Sequence, residues 1–250
     1  MKRWTVIILL AFLLTGCRQE TQGDEPIQKV QEETAQEQKP SEAAEPADLL
    51  TSVKEYTESS SVRILTDKVT GSGVIVVLDS RKTIVLTAAH VLDGAEEITL
   101  EFPCGVVFGT GDSKEKKGMS KVLSSLTDSG ILVLETGQLP AEVTKECQQA
   151  AVDRTCCDTL VAGDKLVVTG YGMQERQAFE GSLADNWIYM EDYGQYMMMV
   201  SAKAEPGMSG GGVFDSHGHL VGILSGMDED GNLAVVSIGL ILEETEDEIR

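Results

Sequence analysis

The stretch Pro206-Gly207-Met208-Ser209-Gly210-Gly211-Gly212-Val213-Phe214 constrains this chain more than any other. Each glycine costs backbone entropy on folding, so a serine set among several of them needs a structural reason. One reason is convergence, with backbone N–H groups pointing into one small space as a hole for an oxyanion requires. A serine so placed becomes a nucleophile only beside a base, and the base needs an orienting carboxylate. Both are available upstream: His90 in Thr87-Ala88-Ala89-His90-Val91-Leu92, and Asp128 in Thr127-Asp128-Ser129-Gly130-Ile131-Leu132-Val133-Leu134.

Gly207-Met208-Ser209-Gly210-Gly211 also fits G-x-S-x-G, the serine elbow between a strand and a helix. The elbow fails here. Three consecutive glycines before Val213-Phe214 make a poor helix start. The acid and histidine should also follow the serine, and His217 and His219 follow too closely to leave room for both. Histidine, aspartate, serine is the order actually present. Around it stand Gly71-Ser72-Gly73 before a strand, Thr169-Gly170-Tyr171-Gly172, and Gly222-Ile223-Leu224-Ser225-Gly226. With these pieces in one order, residues 61–240 resemble the trypsin/chymotrypsin-like serine proteases, and the bacterial members more than the digestive ones.

The resemblance implies an all-β fold of two six-stranded antiparallel β-barrels with the active site between them. In it Ser209 attacks the acyl carbon, His90 carries the proton, Asp128 fixes the imidazole, and the amides of Gly207 and Ser209 form the oxyanion hole. Lys203, six residues before the serine, falls at the base of the S1 pocket and would favour an acidic P1 side chain. Met227 falls on the pocket wall, where it would partly occlude it. Ser225, Gly226 and Met227 form the edge that pairs with the substrate backbone. Met208 replaces the aspartate that zymogen-activated members pair with a new N-terminus, so activity should not depend on such a cut. No cofactor or metal is implied, and the partners are protein or peptide substrates. The alternative from another class is a non-catalytic peptide-binding module whose S1 pocket is blocked.

The residues themselves also read as all-β. Short β-branched runs at 73–78, 83–88, 97–102, 130–135, 165–169, 187–190, 196–201, 213–214, 220–224 and 233–238 are separated by turn residues. Asp215-Ser216-His217-Gly218-His219 and Asp228-Glu229-Asp230-Gly231-Asn232 read as hairpin turns. An acidic tail, Glu243 to Arg250, follows.

Ahead of this domain (59–250) the chain changes character. Residues 1–16, basic and then apolar but too short to span a bilayer, read as a signal peptide. Leu14-Thr15-Gly16-Cys17 resembles the bacterial lipobox, which implies a lipid on Cys17 and anchorage in the bacterial cell envelope (outer membrane or periplasm if the source is Gram-negative). Residues 17–58, rich in Gln, Glu, Thr, Ala and Pro, cannot bury enough apolar surface to order and read as a disordered acidic tether. The net charge of −21 excludes nucleic acid as a partner, since phosphates would be repelled. The membrane is reached through the lipid alone.

With Cys17 lipidated, Cys104, Cys147, Cys156 and Cys157 leave an even number of thiols in an exported protein. Two disulfides or four free thiols both fit. A bond between the neighbours Cys156 and Cys157 would be strained, so the expected pairing joins one of them to Cys104 and the other to Cys147.

Overall fold

The computed structural model describes residues 46–109, 118–135, 137, 139–173 and 175–249. The expected signal peptide, the expected lipidation site Cys17 and the expected tether up to residue 45 lie outside the described residues.

The chain is mostly strand and forms two sheets. The first comprises β1 (Ser61–Thr66), β2 (Thr70–Leu78), β3 (Lys82–Thr87), β4 (Ile98–Glu101), β5 (Val107–Gly109), β6 (Met119–Leu123) and β7 (Gly130–Glu135). Its order is β5-β4-β1-β2-β3-β7-β6, a curved half-barrel. The second comprises β8 (Ala151–Val152), β9 (Lys165–Tyr171), β10 (Arg176–Met190), β11 (Gln195–Ala202), β12 (Gly212–Asp215), β13 (His219–Met227) and β14 (Leu233–Ser237). Here β12 pairs with both β9 and β13, which closes six antiparallel strands into a barrel, and β8 adds to β13 in parallel. This is a chymotrypsin-like double barrel, as expected, with the first sheet more open than a closed six-stranded barrel.

Strand alternation explains how the two halves hold together. Along β2 and β3, Ile75 and Val85 point into the core of the first sheet. Their neighbours Val74, Val76, Ile84 and Leu86 point the other way, into the core shared with the second barrel. Strands buried on both faces must be apolar at successive positions, which is why Val74-Ile75-Val76-Val77 and Ile84-Val85-Leu86 read as continuous runs. Residues at the ends of these strands therefore lie at the seam between the sheets.

Helices account for the main departures from expectation. The tether does not run to residue 58. It gives way to α1 (Pro46–Glu58), where Val53 and Thr57 are buried, Tyr56 Oη donates to the Gln149 carbonyl (3.0 Å) and Lys54 pairs with Glu180 (2.7 Å). The polar composition of the whole stretch masks a short amphipathic segment at its end. Short helices α2 (Ala89–Leu92) and α3 (Ala141–Glu146) follow β3 and β7. The expected acidic tail is part of α4 (Ile238–Ile249), held by the fully buried Ile238 and Ile241.

The expected disulfide pairing is also corrected. Cys147 and Cys104 belong to the first core, with sulfurs 3.6 Å apart, whereas Cys156 and Cys157 sit in the second core, 3.8 Å from each other. All four are free thiols. Packing of the two sheets separates the partners that sequence parity had joined.

Candidate active site

His90 is delivered by the seam. β3 ends at Thr87, whose hydroxyl donates to the Ser72 carbonyl (2.6 Å), and the chain turns at once into α2. Asp128 lies in the loop between β6 and β7, a turn closed by the Ser124 N–H to the Ser129 carbonyl (2.9 Å) and braced by the Thr127 N–H to Ser124 Oγ (2.8 Å). The carboxylate grips the histidine twice. Oδ1 accepts the His90 backbone N–H (3.0 Å), and Oδ2 lies 2.8 Å from His90 Nδ1.

Ser225 is the third group on this carboxylate, its hydroxyl donating to Oδ2. The register between β13 and β14 slips between Leu224 and Gly226, so Ser225 occupies a bulge. Bulges re-aim a side chain, and here the hydroxyl is turned onto the acid. The Ser225 carbonyl in turn accepts the Ser209 hydroxyl (3.3 Å). One residue thus touches both the acid and the serine. Tyr193, at the tip of the β10–β11 hairpin, sets its hydroxyl beside Ser225 and so close to Gly226 that a side chain there would collide with it.

Electrostatics follow from these contacts. Burial is the largest single influence on Asp128 and pushes its carboxyl up, but the hydrogen bonds from His90 and Ser225 outweigh it, leaving a net lowering. The His90 imidazole is raised above its ordinary 6.5, chiefly by the hydrogen bond to Asp128, with burial opposing. The pair therefore favours a charged carboxylate beside an imidazole that readily takes a second proton.

Ser209 comes from the second barrel on a turn that only glycine can make. Gly207 and Gly210 sit at φ +99° and +85°, and a side chain on Gly210 would strike the Ser72 carbonyl and the Thr87 hydroxyl. The turn is fastened to β2 by the Ser72 N–H to the Ser209 carbonyl (2.7 Å) and by Ser72 Oγ to the Gly207 carbonyl (2.8 Å). Ser72 Oγ also accepts the Tyr171 N–H (2.7 Å), so one hydroxyl links both sheets to the serine loop. Met208 is wholly buried against Gly170. The N–H groups of Gly207 and Ser209 have no protein acceptor among the described residues. The Ser209 hydroxyl itself is turned to the Ser225 carbonyl, and no hydrogen bond joins it to His90.

Beside Ser209 opens a cavity of about 240 Å³. Leu224 and Leu233, both buried, and Ala204 give it an apolar lining, with Glu205, Gly226 and Met227 also on its wall. Met227 is 53% exposed and does not fill it. Lys203 does not line it, so the expectation of a basic pocket floor is corrected. After β11 ends at Ala202 the exposure alternates, sending Lys203 to solvent and Ala204 inward. Beyond the bulge at Ser225, Gly226 and Met227 pair with Ala234 and Leu233 of β14.

Sequence reasoning did not foresee the roles of Ser72, Tyr193 and the Ser225 hydroxyl. Ser72 stood in a recognised motif, but only the fold shows what its hydroxyl touches.

The profile of the trypsin-like peptidase domain matches residues 71–223, a span that includes His90, Asp128 and Ser209. The chain belongs to this family. No curated protein sequence matches it. Solved structures are similar in fold at low identity. An inactive form of Rv3671c from M. tuberculosis H37Rv is 21% identical, covering 83% of this chain and 95% of that one, with TM-score 0.61. The serine endoprotease from Yersinia pestis is 20% identical over 80% of this chain and 66% of its own, TM-score 0.62. The HtrA-type protease AlgW, solved with a tripeptide, is 20% identical over 80% of this chain and 64% of its own, TM-score 0.64. A trypsin-like peptidase domain is a hydrolase that acts on proteins or peptides.

Proposed function

We propose that the protein is a serine endopeptidase in which Ser209 is the nucleophile, His90 the general base and Asp128 its orienting acid. The observation that carries this reading is the Asp128 carboxylate, which holds His90 by its backbone N–H and its Nδ1 and is joined through Ser225 to Ser209. With Nδ1–H fixed on Asp128, Nε2 is left as the acceptor. The Ser209 hydroxyl turns from the Ser225 carbonyl toward Nε2 as substrate binds, a tightening common between free and substrate-bound sites.

As Oγ bonds to the substrate carbonyl carbon, its proton passes to Nε2 and the carbonyl oxygen becomes an oxyanion facing the Gly207 and Ser209 N–H groups. Collapse breaks the C–N bond, the amine leaves with the proton from Nε2, and an acyl-serine remains. Water repeats the sequence and frees the acid. Each oxyanion donor contributes roughly 3 kcal/mol to such a barrier. The apolar cavity selects an uncharged P1 side chain, and Glu205 on its wall disfavours an acidic one. Cys17 carries a lipid in this reading, so the enzyme works on envelope proteins at the membrane surface.

The serine's orientation toward Ser225 favours a second reading, peptide capture without cleavage. Treatment of the full chain with a fluorophosphonate probe separates the two. Labelling that disappears in Ser209→Ala supports the peptidase. Folded protein that does not label leaves capture as the function.

A further inference from the structure

A second and larger cavity, of about 570 Å³, lies between the β10–β11 hairpin, α4 and the loop that carries Asp128. Its hairpin wall is aromatic. Trp187 and Tyr189 alternate onto one face of β10, and Tyr189 pairs across the strands with Tyr196 of β11. Tyr196 is stacked on Trp187 (centroids 4.9 Å, planes 10° apart) and receives Tyr189 edge-on (5.3 Å, 69°). Cross-strand aromatics normally earn their place by burial. These three are 54%, 52% and 45% exposed, which leaves a large apolar surface in water.

The opposite wall is acidic. Leu240, Glu243 and Glu244, spaced to share one face of α4, line the cavity, and among the described residues neither lysine nor arginine does. Glu244 already accepts from the Ser124 hydroxyl, whereas Glu243 is exposed. Aromatic faces and carboxylates both present negative charge, so the wall as a whole attracts a cation.

We propose that this cavity binds an arginine side chain of a polypeptide. The guanidinium stacks on the aromatic faces and pairs with the Glu243 carboxylate. A compact ammonium lacks the planar face that stacks on the rings. Because Leu126 and Thr127 line the cavity directly before Asp128, the guest lies next to the catalytic loop without using Ser209. The site therefore stands or falls separately from the peptidase reading.

The chain has two tryptophans, Trp4 and Trp187, so Trp4→Phe in the full chain makes Trp187 emission a direct reporter. The probe is end-blocked Gly-Arg-Gly, compared with the isosteric citrulline peptide. The expected result is a saturable emission change with arginine, at least about tenfold weaker with citrulline and weakened by added salt. Glu243→Gln should weaken arginine binding with unchanged circular dichroism. Equal responses to both peptides, no saturable response to arginine, or saturable binding of a neutral disaccharide in its place overturns the proposal.

Discussion

Replacing Asp128 by Asn tests the proposed chemistry at its centre, because three donors converge on that carboxylate. Oδ1 takes the His90 N–H, and Oδ2 takes both Nδ1–H and the Ser225 hydroxyl. Asparagine keeps one acceptor oxygen and gains an NH₂. With that oxygen at the Oδ2 position, the NH₂ confronts the His90 backbone N–H, leaving a donor unpaired at a cost of about 1–3 kcal/mol. With the oxygen at Oδ1 the backbone bond survives and Ser225 can rotate to accept. The NH₂ then faces Nδ1, which must become an acceptor. The proton moves to Nε2, and the imidazole can no longer take one from Ser209. The second arrangement avoids the buried clash, so the protein folds but holds the wrong tautomer. The expected loss in kcat is about 10³–10⁴-fold, or ~4–5.5 kcal/mol in the barrier. Hydrolysis of a peptide with an apolar P1 residue, or the rate of fluorophosphonate labelling, reads it directly. A loss below about tenfold in protein with unchanged circular dichroism would falsify the orienting role of Asp128.

Ser225→Ala should lower kcat by about tenfold, because a charge-assisted bond worth about 1.5–3 kcal/mol is lost from a carboxylate that must stay ionised; an unchanged rate refutes the link from Ser225 to Asp128. Activity should rise with pH through a midpoint above 6.5, since His90 must be neutral to accept a proton and its folded value is raised. The same shift makes His90 contribute stability that is full below 6.5 and lost as pH rises through the folded value; Asp128, lowered from 3.8, contributes above that value and loses it as pH falls through its own. Unfolding midpoints of wild type and His90→Ala across pH 5–9 check the sign for the histidine. Peptides with Val or Leu at P1 should be cleaved faster than those with Glu or Lys, and Lys203→Ala should leave kcat/KM within about twofold, because Lys203 lies off the cavity. Active protein should carry no obligatory cut near residue 60, where Ser60 and Ser61 are buried and bonded to Thr57; N-terminal sequencing of active enzyme decides this.

Strand positions were legible because the central strands are buried on both faces. Val74 to Val77, Ile84 to Leu86 and Ile131 to Leu134 must then be apolar without interruption, and that signal needs no tertiary knowledge. The first half of β10 gave no such signal. Arg176-Gln177-Ala178-Phe179-Glu180-Gly181 is only half buried, and its partners β9 and β11 hold it chiefly by main-chain bonds that leave no mark on composition.

Ser209, His90 and Asp128 stood out for a related reason: each sits in a local motif whose glycines or small residues answer a backbone demand. Lys203 failed as a pocket floor because counting six residues back fixes a position along the chain but not which way the side chain faces. The roles of Ser72, Tyr193 and the Ser225 hydroxyl depend on contacts between residues 32 to 135 positions apart. A bulge at Ser225 decides one of them, and a bulge is a property of pairing between two strands. Chain order and local backbone demand therefore single out the candidate residues, while the neighbours that position them emerge only once the two sheets have met.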